Sequence, residues 1–131
     1  MGKLIVFEGT DGCGKSVLSK SIAEKLKAYW TFEPYGSPHD HEHSLNKVCW
    51  VLRQLTLDKR YACMTSDARE LLLLANRSIH HQLIKEKIKD THVVCDRSWI
   101  SGIIYKTFSS PKSSRLTNHL LICITQNCIK G

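Results

Sequence analysis

Apolar positions change their period several times along the chain, and each change predicts an element. Leu4-Ile5-Val6-Phe7 is a continuous, β-branched apolar run bounded by Gly9. It predicts a buried strand over residues 3–8, because strands covered on both faces lose their alternation. Val17, Leu18, Ile22, Ala23 and Leu26 then recur at helical spacing, which predicts a helix over 14–28. Tyr29 to Phe32 reads as a second short strand. Glu33-Pro34-Tyr35-Gly36-Ser37-Pro38 reads as a loop, since Pro and Gly punctuate it. Leu45, Val48, Cys49, Leu52 and Leu55 predict a helix over 43–57, with a connection near 57–61.

A long helix is expected over 66–89, where Leu71, Leu74, Ala75, Ile79, Leu83, Ile84 and Ile88 repeat. Asp67 and Glu70 have the spacing of a cap with a reciprocal acid. The run Leu71 to Leu74 is apolar all round, so that turn is expected to be deeply buried. His92 to Cys95 predicts another buried strand, ending at Asp96-Arg97. A helix is expected over 98–107, lined by Trp99, Ile100, Ile103 and Ile104. Ser109 to Thr117 reads as loop and His119 to Thr125 as a last strand.

Strands alternating with helices indicate an α/β fold with a parallel sheet flanked by helices. With 131 residues, no repeat and no linker, the expectation is one domain over 1–131. In such sheets ligands bind beyond the C-terminal ends of the strands. Three segments fall there: the stretch after residue 8, the Glu33-Pro34 loop and Asp96-Arg97.

The first of these carries chemistry. Gly9-Thr10-Asp11-Gly12-Cys13-Gly14-Lys15-Ser16 fits G-x-x-x-x-G-K-[ST], the phosphate-binding loop, between a predicted strand and a predicted helix. Its glycines let backbone N–H groups turn toward phosphate oxygens. Lys15 supplies a positive charge for the outer phosphates. The Ser16 hydroxyl is a Mg²⁺ ligand of the right kind, and the following helix points its positive dipole end at the anion. The stretch therefore predicts binding of a nucleoside triphosphate.

Composition changes this picture little. The chain is 42% hydrophobic and 24% charged, as expected of a globular protein. Its net charge of +7 fits an anionic partner without choosing one. Charge without base-reading aromatics does not support nucleic-acid binding. No apolar stretch is long enough to span a bilayer, and a strand within three residues of the start leaves no room for a signal peptide. An intracellular, cytoplasmic location is expected. The six cysteines include no C-x-x-C pair, so a disulfide scaffold is not expected. His39, His41 and His43 alternate with Asp40 and Glu42, which reads as an exposed polar loop rather than a metal site, no second ligand cluster accompanying it.

Taken together, several segments resemble thymidylate kinase, a nucleoside monophosphate kinase of the phosphate-loop class. Phe7-Glu8-Gly9-Thr10-Asp11-Gly12-Cys13-Gly14-Lys15-Ser16 is similar to that family's F-E-G-x-D-G-x-G-K-[ST]. Thr31-Phe32-Glu33-Pro34-Tyr35-Gly36-Ser37-Pro38 is similar to T-R-E-P-G-G-T-P. Leu72-Leu73-Leu74-Ala75-Asn76-Arg77 resembles L-L-F-x-A-N-R. Asp96-Arg97-Ser98-Trp99-Ile100-Ser101-Gly102-Ile103-Ile104-Tyr105 resembles D-R-Y-x-x-S-G-x-A-[YF]. The order and spacing of these segments carry the resemblance, which runs from residue 3 to about 108.

The resemblance implies transfer of the ATP γ-phosphate to dTMP, giving dTDP, with Mg²⁺ as cofactor. It implies that Gly9 to Ser16 hold the donor phosphates, that Lys15, Asp11, Asp96 and Arg97 serve catalysis, and that Ser16 and Asp96 serve the metal. Arg97 is expected to clamp the acceptor phosphate and Asp11 to contact the sugar 3′-hydroxyl. Arg77 is expected to bond the thymine base, with Leu73, Gly102 and Tyr105 also on the substrate. The family is usually a homodimer through its long helices.

Four features depart from the family pattern. Phe32 replaces the Arg of T-R-E-P. Leu73 stands where a Phe stacks on the base, and Ser98 replaces the Tyr of D-R-Y. An acceptor-phosphate cation is expected after the Glu33-Pro34 loop, with Lys47 and Arg53 both eligible. Family members are also longer, continuing into an arginine-bearing lid and an adenine-contacting loop. A C-terminally incomplete domain and poor catalysis with retained nucleotide binding are therefore expected. The rival readings are another phosphate-loop kinase and a catalytically weak nucleotide-binding remnant.

Overall fold

The computed structural model describes residues 2–39 and 44–102. The described chain divides into two compact units, residues 2–33 with 82–102 and residues 34–81. The expected helix and strand candidates beyond residue 102, and His41 and His43, lie outside the described residues.

The first unit holds a parallel three-stranded sheet, ordered β1-β3-β2, with β1 at Leu4–Phe7, β2 at Tyr29–Phe32 and β3 at Val93–Asp96. All three segments were expected as strands. Their register is even. Phe7 and Phe32 both pair with Asp96, so the three strands end at one level. Glu33 extends β2 through its backbone N–H, which donates to the Asp96 carbonyl.

Central β3 is buried along its whole length, with Val93 and Val94 fully covered. Each such valine contributes roughly 1.5–3 kcal/mol by leaving water. β1 corrects the expectation of a buried strand: Leu4 and Val6 are exposed, while Ile5 and Phe7 are half-covered. In the described sheet β1 is an edge strand, and its apolar run serves one covered face only.

Helix α1 (Lys15–Leu26) packs on this sheet, but not through the apolar stripe that predicted it. Its buried residues are Lys15, Ser19 and Ala23, one turn apart, whereas Val17, Leu18 and Leu26 are exposed. Ser19 is held in place because its hydroxyl accepts from Trp30 Nε1 at 3.0 Å and donates to the Ser16 carbonyl. Lys20 covers the Trp30 ring, its Nζ 4.7 Å from the centroid.

The second unit contains α2 (Ser44–Leu57), a short 3₁₀ turn at Lys59–Tyr61, and most of α3 (Ser66–Lys87); the unit boundary falls inside α3. The buried side of α2 carries Asn46, Cys49 and Thr56, while Val48 faces solvent. α3 begins differently from the expected Asp67–Glu70 cap. The Thr65 hydroxyl accepts from the Ala68 N–H at 3.2 Å, a side-chain cap three residues ahead. Leu71 is 44% exposed against 4% for Leu74, so the apolar turn is not buried all round.

Two buried asparagines organise this unit. Asn76 accepts from the Tyr35 N–H at 2.9 Å and donates to the carbonyls of Tyr35 and Cys49 at 2.7 and 2.9 Å. Asn46 pairs in the same two-way manner with the backbone of Ser37, at 3.0 and 2.7 Å. Alternate residues of the Pro34–Ser37 loop thus find side-chain amides where a strand would find a neighbour. Tyr35 also stacks on buried His80, ring centroids 4.7 Å apart. Gly36, at φ 127°, lets α2 approach: a β-carbon there would stand 2.7 Å from the Trp50 nitrogen.

Candidate active site

The even strand ends of the first unit build the site. Residues 9–14 leave β1 and enter α1 through two left-handed glycines, Gly12 at φ 80° and Gly14 at φ 85°. Side chains adopt these angles at a cost, which explains both glycines. Gly14 is the residue before the helix, and no side chain caps it. The first N–H groups of α1 are therefore left for an anion, at the positive end of the helix dipole.

Lys15 is buried, and its Nζ donates to the Thr10 carbonyl at 3.0 Å. It also lies 3.6 Å from the Asp11 carboxylate. Arg97 donates to the same Asp11 oxygen. Two cations from opposite ends of the described sequence thus converge on one exposed carboxylate of the loop.

Asp96, the last residue of central β3, is 7% exposed. The Ser16 hydroxyl donates to its Oδ2. Its Oδ1 is buried and has no hydrogen-bond partner among the described residues. Leaving a buried carboxylate oxygen unmatched costs free energy, so a cation is the natural complement. The hydroxyl and carboxylate oxygens are hard donors suited to Mg²⁺. No grouping of three or more His, Cys, Asp or Glu that could hold a metal occurs among the described residues.

Arg97 sits at φ 74°, a left-handed angle that costs a non-glycine residue about 1–2 kcal/mol. Its backbone is pinned on both sides. Its N–H donates to the Phe7 carbonyl at 2.9 Å, and its carbonyl accepts from Cys95 Sγ at 3.1 Å. Its guanidinium reaches Ser101 Oγ at 3.1 Å. Ser98 and Ser101, both buried, donate in turn to the two carboxylate oxygens of Glu8, Ser98 at 2.6 Å. Ser98 Oγ also accepts from the Ile100 N–H at 3.2 Å and so opens the helical turn at Trp99–Gly102.

The first unit therefore brings together Gly9 to Ser16, Asp96 and Arg97 from the expected set. Gly102 lies in the turn that carries Ser101, with no contact among the described residues that assigns it a role. Tyr105 lies outside the described residues. Leu73 and Arg77 belong to the second unit, both half-buried and one turn apart on α3. Also in the second unit, Lys47 is exposed, whereas Arg53 is half-buried and donates from Nη1 to the Pro34 carbonyl. Burial pulls the Arg53 guanidinium below its usual range. The sequence reading assigned no role to Glu8 and Ser101; the only available signal was that both fall inside the quoted motifs.

Comparison with known proteins gives the family. The family model described as thymidylate kinase matches residues 7–129. The chain is 39% identical over 103 residues to a probable thymidylate kinase of Methanocaldococcus jannaschii, covering 79% of this chain and 49% of that one. It is 34% identical over 115 residues to a thymidylate kinase of Geotalea daltonii, covering 82% and 50%. The chain thus spans about half the length of the curated relatives it matches. Among solved structures, thymidylate kinase from Ehrlichia chaffeensis superposes with a TM-score of 0.73 at 27% identity, covering 94% of this chain and 68% of that one. The Candida albicans enzyme gives 0.65 at 26%, covering 94% and 56%. Because the family model matches residues 7–129, this chain belongs to the thymidylate kinase family.

Proposed function

We propose that the chain acts as a thymidylate kinase, moving the γ-phosphoryl group of MgATP to the 5′-phosphate of dTMP and giving dTDP and ADP. The observation that carries this reading is the convergence of Lys15 and Arg97, with the Ser16–Asp96 pair, at the level ends of three parallel strands. Phosphoryl transfer asks for charge neutralisation and alignment rather than covalent chemistry, and these groups supply it.

The loop amides of residues 9–16 and Lys15 hold the donor phosphates. Ser16 and Asp96 hold Mg²⁺, which neutralises negative charge on the phosphates when bound. Arg97 holds the acceptor phosphate through its planar fork. Arg53, rather than Lys47, is the second acceptor cation; its half-buried, anchored guanidinium supports this choice. Asp11 takes the sugar 3′-hydroxyl and Arg77 the thymine base, as the family resemblance implies. Substrate use of this kind places the protein inside the cell and needs neither nucleic acid nor membrane. Among the described residues no helix is long and apolar enough to cross a membrane. A homodimer is the expected assembly, as the family resemblance implies.

A coupled ADP-release assay across dTMP, dUMP, thymidine and other nucleoside monophosphates tests the reading. The highest kcat/KM is expected for dTMP; a better acceptor among the others overturns it.

A further inference from the structure

Arg97 has a backbone angle that costs energy and a guanidinium that must be aimed, yet the motif supplies only the residue. Its environment supplies the rest. Glu8 stands between β1 and the phosphate loop, and its carboxylate receives two hydroxyls from the segment after β3, Ser98 on Oε1 and Ser101 on Oε2. Ser98 and Ser101 are 7% and 8% exposed, so both bonds are sheltered at the serine end. The Ser101 oxygen that donates to Glu8 also accepts from Arg97 Nη1 at 3.1 Å. A hydroxyl donating to a carboxylate becomes a better acceptor, so the chain Glu8–Ser101–Arg97 is mutually reinforcing.

We propose that Glu8 is a positioning residue for the acceptor-phosphate arginine: with Ser98 and Ser101 it locks the turn after β3 to the start of the phosphate loop, and so sets where Arg97 aims. This rests on the reading of Arg97 as the acceptor-phosphate group. Among the described residues the Glu8 carboxylate bonds Ser98 and Ser101, not Ser16 or Asp96, so it acts through Ser101. The Ser98 arm departs from the resembled motif, which has Tyr at that position. The hydroxyl of Ser98 does double service, opening the helical turn through the Ile100 N–H and anchoring it through Glu8. Arg97 is then held by the Phe7 carbonyl on its N–H, by the Cys95 thiol on its carbonyl, and by Ser101 on Nη1 and Asp11 on Nη2 of its guanidinium.

The test separates aiming from folding. Calorimetry on the 131-residue chain gives Kd for dTMP and for thymidine, and their ratio reads the contribution of the acceptor phosphate alone. Glu8→Ala is expected to shrink that ratio about tenfold, the loss of one hydrogen bond to a charged group. Thymidine and MgATP affinities should stay within about twofold, a limit set by the usual additivity of separate contacts. Glu8→Gln retains an acceptor oxygen and should recover most of the ratio. Ser101→Ala should shrink it about as much as Glu8→Ala, and the double variant no further, since both break one chain. Additive losses, or equal weakening of dTMP, thymidine and MgATP, overturn the proposal. The Arg97 side-chain ¹⁵Nε resonance of the ligand-free chain gives a readout independent of substrate identity. It should be single and restrained in the parent and in Glu8→Gln, and averaged in Glu8→Ala. An unchanged resonance in Glu8→Ala overturns the proposal whatever the acceptor is. A parent chain that binds no dTMP refutes the proposed function, and the resonance still decides the role of Glu8.

Discussion

Replacing Asn76 with Asp changes one amide N–H₂ to a carboxyl oxygen at nearly constant volume, in a site 1% exposed. Oδ1 keeps its bond from the Tyr35 N–H. The other oxygen then faces the carbonyls of Tyr35 and Cys49, which stood 2.7 and 2.9 Å from the amide nitrogen. Ionised, it meets two acceptors and no donor. Protonated, it satisfies only one of them. Burial and the facing carbonyls raise such a carboxyl by about 3 units above its unfolded value near 3.9. At 1.36 kcal/mol per unit, the penalty reaches about 4 kcal/mol. The sign is fixed by linkage: a folded pKa above the unfolded one adds no pH-dependent loss below about pH 4 and erodes stability as pH rises toward 7. Asn76→Ala should instead cost about 3–5 kcal/mol at every pH, leaving three buried backbone groups without their partner. Urea melts of the parent, Asn76→Ala and Asn76→Asp at pH 4.5 and 7.5 read both effects. A difference between Asn76→Asp and the parent that is the same at both pH values would refute the assignment of the amide.

Gly36→Ala forces a β-carbon onto the Trp50 backbone at a φ of 127°, so a loss of about 3 kcal/mol or more is expected in the same melts; unchanged stability would mean α2 does not pack there. Lys15→Met should lower turnover at least about a hundredfold with little change in melting temperature, because it removes charge from the transferring phosphates; unchanged turnover excludes the loop as donor site. Among the described cysteines, Cys13 and Cys63 are exposed, while Cys49 is fully buried with its thiol pushed up to about 11 by burial. Peptide-mapped alkylation at pH 8 should therefore mark Cys13 and Cys63 and spare Cys49, and MgATP should slow Cys13 alone; equal slowing at Cys63 contradicts nucleotide binding at the loop.

What the sequence made legible was local. The apolar runs at Leu4–Phe7, Tyr29–Phe32 and Val93–Asp96 became strands because their residue types need little context, and the phosphate loop is a contiguous signal. Burial was harder to read. Val17 and Leu18 fitted the helical stripe of α1, but its covered side is set by Lys15 turning to the loop and Ser19 meeting Trp30. Asn46 and Asn76 look like surface residues in a pattern that equates polar with exposed. They are core because the Pro34–Ser37 backbone needs partners that no strand provides. The Glu8–Ser98–Ser101 lock joins residues about ninety positions apart, and no periodicity reports such a pairing. Arg53 and Lys47 were equivalent by spacing, which does not report that Arg53 is half-buried against the Pro34 carbonyl while Lys47 is exposed.

The central claim is that the level strand ends of the first unit form a donor site for a magnesium nucleotide. Calorimetric titration of the 131-residue chain with ATP, with Mg²⁺ and with chelator, tests it most directly. Saturable 1:1 binding is predicted, strengthened by Mg²⁺ in the parent, lost in Lys15→Met and stripped of its Mg²⁺ dependence in Asp96→Asn. ATP binding that ignores Mg²⁺ and survives both substitutions would contradict the account.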